Sequence, residues 1–148
     1  MFGGNPVAAL AEARRVSKPA GRIVVLTWGN PQGMEAAALV TALRPLLPPP
    51  PPGSPGPFAL SDANALTTFA ESAGLTALKV SDVACEWHYP DLPTALRGLG
   101  ASGGASRASE HAGVDAVDRA HEAALAPFRR DDGSYRVGAS FRWLLATP

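Results

Sequence analysis

The chain has 148 residues, 46% of them hydrophobic, and its 13 basic and 13 acidic side chains give a net charge of zero. This length suits a single domain with an apolar core, and we predict one domain over residues 1–148. Without a basic excess to neutralise phosphates, the composition argues against a nucleic-acid partner. The single cysteine, Cys85, excludes an internal disulfide, and no apolar run reaches the roughly 18–20 residues of a membrane span. We therefore expect a cytoplasmic protein.

The first predicted element is a helix that begins at Asn5-Pro6 and ends near Ser17. Asparagine is a good N-cap, and proline at the first helical position loses nothing because its missing N–H would have had no partner.

The next element is a strand over residues 21–29, with the apolar run Ile23, Val24, Val25 and Leu26 between two glycines. Half-exposed strands alternate, whereas strands covered by helices on both faces do not. A buried helix segment can show the same run, but this one is short and bounded by glycine. The pattern predicts a central strand of a parallel sheet in an α/β fold.

Further elements follow from apolar periodicity, caps and turn residues. They are a helix over 34–47, a Pro-rich loop over 48–57, a helix capped by Ser61 and ended by Gly74, a strand over 78–89, helices over 91–99 and 114–128 with a mobile Gly/Ser/Ala segment between them, a turn at Asp132-Gly133, and a last strand. Alternation places Tyr135, Val137, Ala139, Phe141 and Trp143 on one face of the last strand. In the strand over 78–89 it places Cys85 in the core beside Trp87.

Residues 6–29, PVAALAEARRVSKPAGRIVVLTWG, resemble the second half of class I S-adenosylmethionine-dependent methyltransferases. In that family a helix ends in a Leu-Lys-Pro-Gly-Gly turn and leads into the fifth strand. Residues 61–74 are similar to the family's last helix. GLTALKVSDV (74–83) and SYRVGASFRWLLATP (134–148) are similar to its closing strand pair. The resemblance implies a partial Rossmann-like sheet of strands five to seven, the last two antiparallel, with flanking helices and a helical insert. It also implies S-adenosylmethionine as cofactor and a small molecule as methyl acceptor.

The family's cofactor site belongs to its first half, which supplies a Gly-rich loop after one strand and an acidic residue after the next. No Gly-x-Gly-x-Gly stands between a strand and a helix here, so we expect no cofactor-binding residue in this chain. Without the family's fourth strand, Ile23–Leu26 becomes an exposed edge. We expect either self-association or assembly with a separate first-half chain through that edge.

Candidate site residues stand at strand ends, where open α/β sheets bind ligands. Trp28 lines a substrate pocket or belongs to the core. His88 is a general base for the methyl acceptor or a solvent-facing strand histidine. The other substrate-side candidates are Met34, Trp87 and Tyr89. The histidines lack metal-ligand spacing, so no metal is expected.

Three functions remain open. The first is a truncated or split methyltransferase that retains the substrate-side half and is inactive alone. The alternative is a non-catalytic ligand-binding or interaction module whose pocket lies between the Pro-rich loop and the helical insert. The third is a remnant without function.

Overall fold

The computed structural model describes residues 4–148, which form three strands and six α-helices. Their bounds are α1 Pro6–Val16, β1 Ile23–Trp28, α2 Ala36–Ala42, α3 Ala63–Ser72, β2 Thr76–Tyr89, α4 Leu92–Gly100, α5 Gly103–Ala112, α6 Val114–Leu125 and β3 Tyr135–Thr147. Short 3-10 helices follow at Arg44–Leu46 and Ala126–Phe128. The α/β class is confirmed.

The strands form one open antiparallel sheet in the order β1-β3-β2. The register of β1 on β3 runs from Ile23 opposite Ala146 to Trp28 opposite Phe141. Just beyond it, the Gly29 N–H donates to the Ser140 carbonyl at 2.8 Å. A Cβ at Gly29 would lie 2.5 Å from Ser140 Oγ, so a side chain there would force the two strands apart.

The apolar pattern alone predicts a buried central strand of a parallel sheet, which is wrong for β1 in this chain, whereas the exposed edge expected at Ile23–Leu26 is confirmed. Within residues 4–148, β1 pairs only with β3, and it does so antiparallel at the edge of the sheet. Val24 and Leu26 are 61% and 60% exposed, because helices cover only the opposite face of the strand. The apolar run identified the strand correctly but not its neighbours.

One compact unit comprises residues 4–31, 56–84 and 140–148. Its buried core consists of Leu66, Ala70, Leu75, Leu144 and Ala146. Ile23 and Val25 of β1, together with Leu10 of α1, pack against this core. The face of β1 that carries Ile23 and Val25 is therefore the one that α1 and α3 cover.

Arg142 joins three segments of this unit. Its guanidinium donates to both carboxylate oxygens of Asp82 on β2, at 2.7 Å each, and to the carbonyl of Ser61 before α3. The bidentate geometry is the strong form of such a pair, and it raises the pKa of Arg142 and lowers that of Asp82.

The second compact unit comprises residues 32–55 and 85–139. Leu43, Ala105, Ala108 and Val117 form a buried cluster in it. The segment expected to be mobile is the helix α5, whose N-cap Ser102 accepts the N–H of Ala105. Two fully buried alanines, Ala105 and Ala108, anchor this helix, which the glycines in its sequence do not favour. The mobility of the segment stays a prediction.

Helix ends show how well local signals work. Asn5 caps α1 as predicted, through a 2.9 Å hydrogen bond from the N–H of Ala8 to its side chain. The predicted cap of α3 is wrong by one residue, because Asp62 and not Ser61 accepts the N–H of Ala65. The helix predicted over 34–47 is shorter, with α2 followed by a separate 3-10 turn. Residues 48–57 contain no helix or strand, as predicted.

Alternation along β3 changes phase within the strand. Tyr135, Val137 and Ala139 are buried in the first part, whereas Leu144 and Ala146 are buried in the second. The predicted buried face is therefore correct as far as Ala139. Beyond Ala139 the buried residues are even-numbered instead of odd-numbered. The change falls where the strand passes from one compact unit into the other.

Cys85 is exposed, so its predicted place in the core is wrong. Within residues 4–148, no helix is both long enough and apolar enough to cross a bilayer. The cytoplasmic location stays a prediction.

Candidate functional site

A cavity of about 440 Å³ lies where β2 ends and β3 begins, and it contains two of the residues that the sequence singled out. Its lining consists of His88, Tyr89, Pro90, Arg130, Asp132, Ser134, Tyr135 and Arg136. All eight belong to the compact unit of residues 32–55 and 85–139. No residue of the Pro-rich loop lines this cavity, so it is not the pocket that the alternative function placed beside that loop.

The turn over residues 130–134 forms one wall. The Arg130 N–H donates to the Ser134 carbonyl at 2.8 Å, and Gly133 takes a φ of +85° that glycine adopts without strain. Asp132 Oδ1 accepts both the backbone N–H of Ser134, at 2.9 Å, and its hydroxyl, at 2.6 Å. These bonds lower the pKa of Asp132, with a smaller contribution from the charge of Arg130. The turn thus holds an ionised carboxylate in a fixed position.

Two other lining residues, His88 and Arg136, lie on neighbouring strands beside Glu86, which is not part of the lining. Glu86 Oε2 lies 2.9 Å from a guanidinium nitrogen of Arg136 and 3.6 Å from Nε2 of His88. The side chain of His88 is 60% exposed. The imidazole is therefore accessible from solvent. This arrangement allows His88 to accept a proton from a bound molecule.

Tyr89 is half-buried and belongs to the lining of the cavity. A Cβ at Gly98 of α4 would lie 3.3 Å from Cε1 of Tyr89, so glycine gives the ring the room it occupies. Burial raises the pKa of Tyr89, which keeps its hydroxyl protonated and able to donate a hydrogen bond.

The other predicted substrate-side residues do not line this cavity. Trp28 belongs to the other compact unit, where its ring stacks on Phe141 with centroids 5.1 Å apart and meets the edge of Phe58 at 6.2 Å. Met34 is 7% exposed and belongs to the buried residues. Trp87 is half-buried one residue before the cavity lining.

Sequence reasoning missed most of the cavity's polar residues, among them Arg130, Asp132 and Arg136. Asp132 was recognised only as a turn residue, and Arg130 and Arg136 were not singled out. These residues could have been found from one relation: in an antiparallel sheet the end of β2 lies beside the start of β3, and therefore beside the turn that precedes β3. Using this relation requires knowing that β2 and β3 are neighbours, which the sequence does not state.

Among residues 4–148, no group of three or more histidine, cysteine or acidic side chains is placed to hold a metal ion. The described residues also do not fit S-adenosylmethionine. Gly29 is the glycine that directly follows a strand, and Ser140 fills the space that a ligand would need beside it. No family model matches the chain, and no curated protein matches it either.

Proposed function

We propose that these 148 residues are the substrate-side half of an S-adenosylmethionine-dependent methyltransferase, which methylates a small molecule once a first half supplies the cofactor site. The observation that carries the proposal is the strand order β1-β3-β2, with α1 leading into β1. In the family that the sequence resembles, the fifth strand pairs with the seventh, and the closing strands are antiparallel. Strands five, seven and six of that family would be β1, β3 and β2.

In this proposal the cavity holds the methyl acceptor and His88 takes its proton. When the acceptor hydroxyl or amine loses a proton to Nε2 of His88, the imidazolium formed is stabilised by Glu86, 3.6 Å away. The Arg136 guanidinium keeps that carboxylate in place at 2.9 Å. Tyr89 contributes a hydrogen-bond donor at the cavity wall. The described residues provide no cradle for the cofactor, so no step through it is assigned to them.

The first test is calorimetric titration of the 148-residue chain with S-adenosylmethionine. We expect no binding by the chain alone, because it lacks the backbone cradle and the acidic ribose partner that the cofactor needs. We expect binding once a first half is present. The first half to co-express with this chain is any segment encoded upstream in which a strand is followed by Gly-x-Gly-x-Gly. Micromolar binding by the isolated chain would refute the proposal.

The second test addresses the cavity in the completed protein. His88→Gln removes the proton acceptor, whereas His111→Gln, at an exposed position of helix α5, is the matched control. We expect methyl transfer to fall by about 10²–10⁴-fold in the first variant and to stay unchanged in the second. Equal activity of both variants would exclude His88 from the reaction.

A non-catalytic small-molecule binding module would use this cavity and not the pocket expected beside the Pro-rich loop. The cavity lining includes Arg130 and His88 besides the Asp132 carboxylate and the Arg136 that pairs with Glu86, and Arg130 suits a small anionic ligand. Citrate is a suitable probe. Citrate binding by the isolated chain that is lost in Arg130→Gln, with no cofactor binding under any condition, would favour this alternative over the methyltransferase.

A further inference from the structure

We propose that the outer edge of β1 pairs antiparallel with β1 of a second copy of this chain, and that the two form a closed dimer. The inference rests on the edge itself and not on the proposed function, because it uses only the backbone geometry and the side chains of β1.

The direction of the backbone groups follows from the register on β3. Gly29 lies opposite Ser140 and donates its N–H to it, so 29 and 140 are a hydrogen-bonded pair. Hydrogen-bonded and non-hydrogen-bonded pairs alternate along an antiparallel ladder, so the N–H and C=O of residues 23, 25 and 27 also point toward β3. Those of Val24 and Leu26 point away from it. A second extended strand, paired alongside β1, can form hydrogen bonds with these outward-pointing N–H and C=O groups.

The side chains of β1 offer no obstacle to a second strand. Residues 23–28, IVVLTW, include no charge, proline or glycine, the residues with which proteins commonly protect sheet edges. Val24 and Leu26 are also the most exposed residues of the strand, at 61% and 60%. The other edge strand, β2, differs because it carries Lys79, Asp82 and Glu86. We therefore expect association through β1 and not through β2, which limits the assembly to two copies.

A second copy is the occupant that fits, because the edge is self-complementary about a two-fold axis. With Val25 opposite Val25 of the second copy, Val24 lies opposite Leu26, and each such pair exchanges both its hydrogen bonds. The same register places the exposed Arg22 opposite Trp28 of the other copy, where a guanidinium can rest against an indole ring. It also keeps the two Arg22 side chains at opposite ends of the contact.

The contact is small, which sets the expected affinity. Seven paired residues span about 23 Å at 3.3 Å each, and a sheet is about 10 Å thick, so the footprint is only about 230 Å². A stable complex buries about 800 Å² on each partner. The dimer should therefore be a concentration-dependent one, with a Kd of about 10–100 µM.

The same edge cannot hold a second copy and a first half at once. If a first half pairs with β1 in a completed enzyme, it displaces the second copy. Failure of the dimer leaves the proposed function intact, and failure of cofactor binding with a first half leaves the dimer intact. The two proposals can therefore be tested apart.

The decisive measurement is sedimentation equilibrium of the purified chain between about 5 and about 500 µM, a range that brackets micromolar dissociation constants. We expect the mass to rise from 15.2 kDa toward twice that value. It should remain at the monomer value in Val24→Lys and in Leu26→Lys. Val114→Lys, at another exposed valine (61%) on α6, is the matched control and should dimerise normally.

Four outcomes would overturn the proposal. They are a monomer throughout the range, growth beyond two copies without a plateau, a dimer that both lysine variants leave unchanged, and an elevated mass due to a different polypeptide identified by mass spectrometry.

A crosslinking experiment tests the register. In a Cys85→Ser background, Val24→Cys and Leu26→Cys are prepared separately and oxidised with glutathione disulfide. In the proposed register, position 24 of one copy lies opposite position 26 of the other, within disulfide range. Position 24 of one copy and position 24 of the other are offset by two residues and lie too far apart. We expect crosslinks in the mixture and few in either variant alone. Crosslinks in a single variant but none between the two would overturn the proposed pairing.

Discussion

Leu144 and Leu145 are neighbours on β3, and replacing each by alanine tests the change of phase along that strand. Leu144 is fully buried against Leu66 and Ala70, whereas Leu145 is half-buried on the other face, opposite Val24. Leucine to alanine removes three carbon groups, worth about 0.8 kcal/mol each when buried, and leaves a cavity in addition. We expect Leu144→Ala to lower the free energy of unfolding by about 3–4 kcal/mol and Leu145→Ala to lower it by about 1 kcal/mol.

The assay is urea denaturation followed by far-UV circular dichroism at a few micromolar protein, where a weak dimer is dissociated. The slope of the free energy against urea should be the same for both variants and the parent, since neither changes the surface exposed on unfolding. A strictly alternating β3 makes the opposite prediction, with position 145 in the core. If Leu145→Ala cost as much as Leu144→Ala or more, the packing described for this part of β3 would be wrong.

The remaining predictions concern single positions. Burial lowers the pKa of His121, although Asp118 opposes this effect, so the folded chain binds a proton less readily than the unfolded one. The contribution of His121 to the free energy of unfolding should be fully present above about pH 6.5 and should fall as the pH drops toward the folded-state pKa. His121→Leu should make the free energy of unfolding, measured by urea denaturation from about pH 5 to 7.5, depend less on pH. Asp62→Ala should cost about 1 kcal/mol in the same assay and Ser61→Ala less than about 0.5 kcal/mol, the reverse of what a Ser61 cap requires. Cys85 should react with a thiol reagent as fast in the folded protein as in denaturant. Much slower labelling of the folded protein would mean that the thiol is buried in the core.

The sequence predicted elements well where a local signal sufficed. Asn5 and the proline after it placed the start of α1, and Asp132-Gly133 placed the turn before β3, because caps and turns depend on a few neighbouring residues. The run of residues 23–26 predicted a strand for a similar reason, since β-branched residues bounded by glycine have few other uses.

The errors have a common cause, which is that periodicity groups residues on a face without saying what covers that face. Cys85 shares a side of β2 with Trp87, but this part of the strand leaves the thiol in solvent. Helix α5 is the converse case, because burial of Ala105 and Ala108 outweighs the poor helix propensity of its glycines. The cavity depended on both the sheet order and the turn, so only His88 and Tyr89 were found in advance.

Gly29 has a consequence for how this chain can vary in length. Because Ser140 occupies the place of a side chain at Gly29, strand β1 cannot slide along β3 without a collision. A single insertion or deletion between residues 23 and 28 would move Ile23 and Val25 out of the core and turn Val24 and Leu26 into it. Natural relatives should therefore keep the spacing of this strand constant while residues 48–57 lengthen or shorten freely.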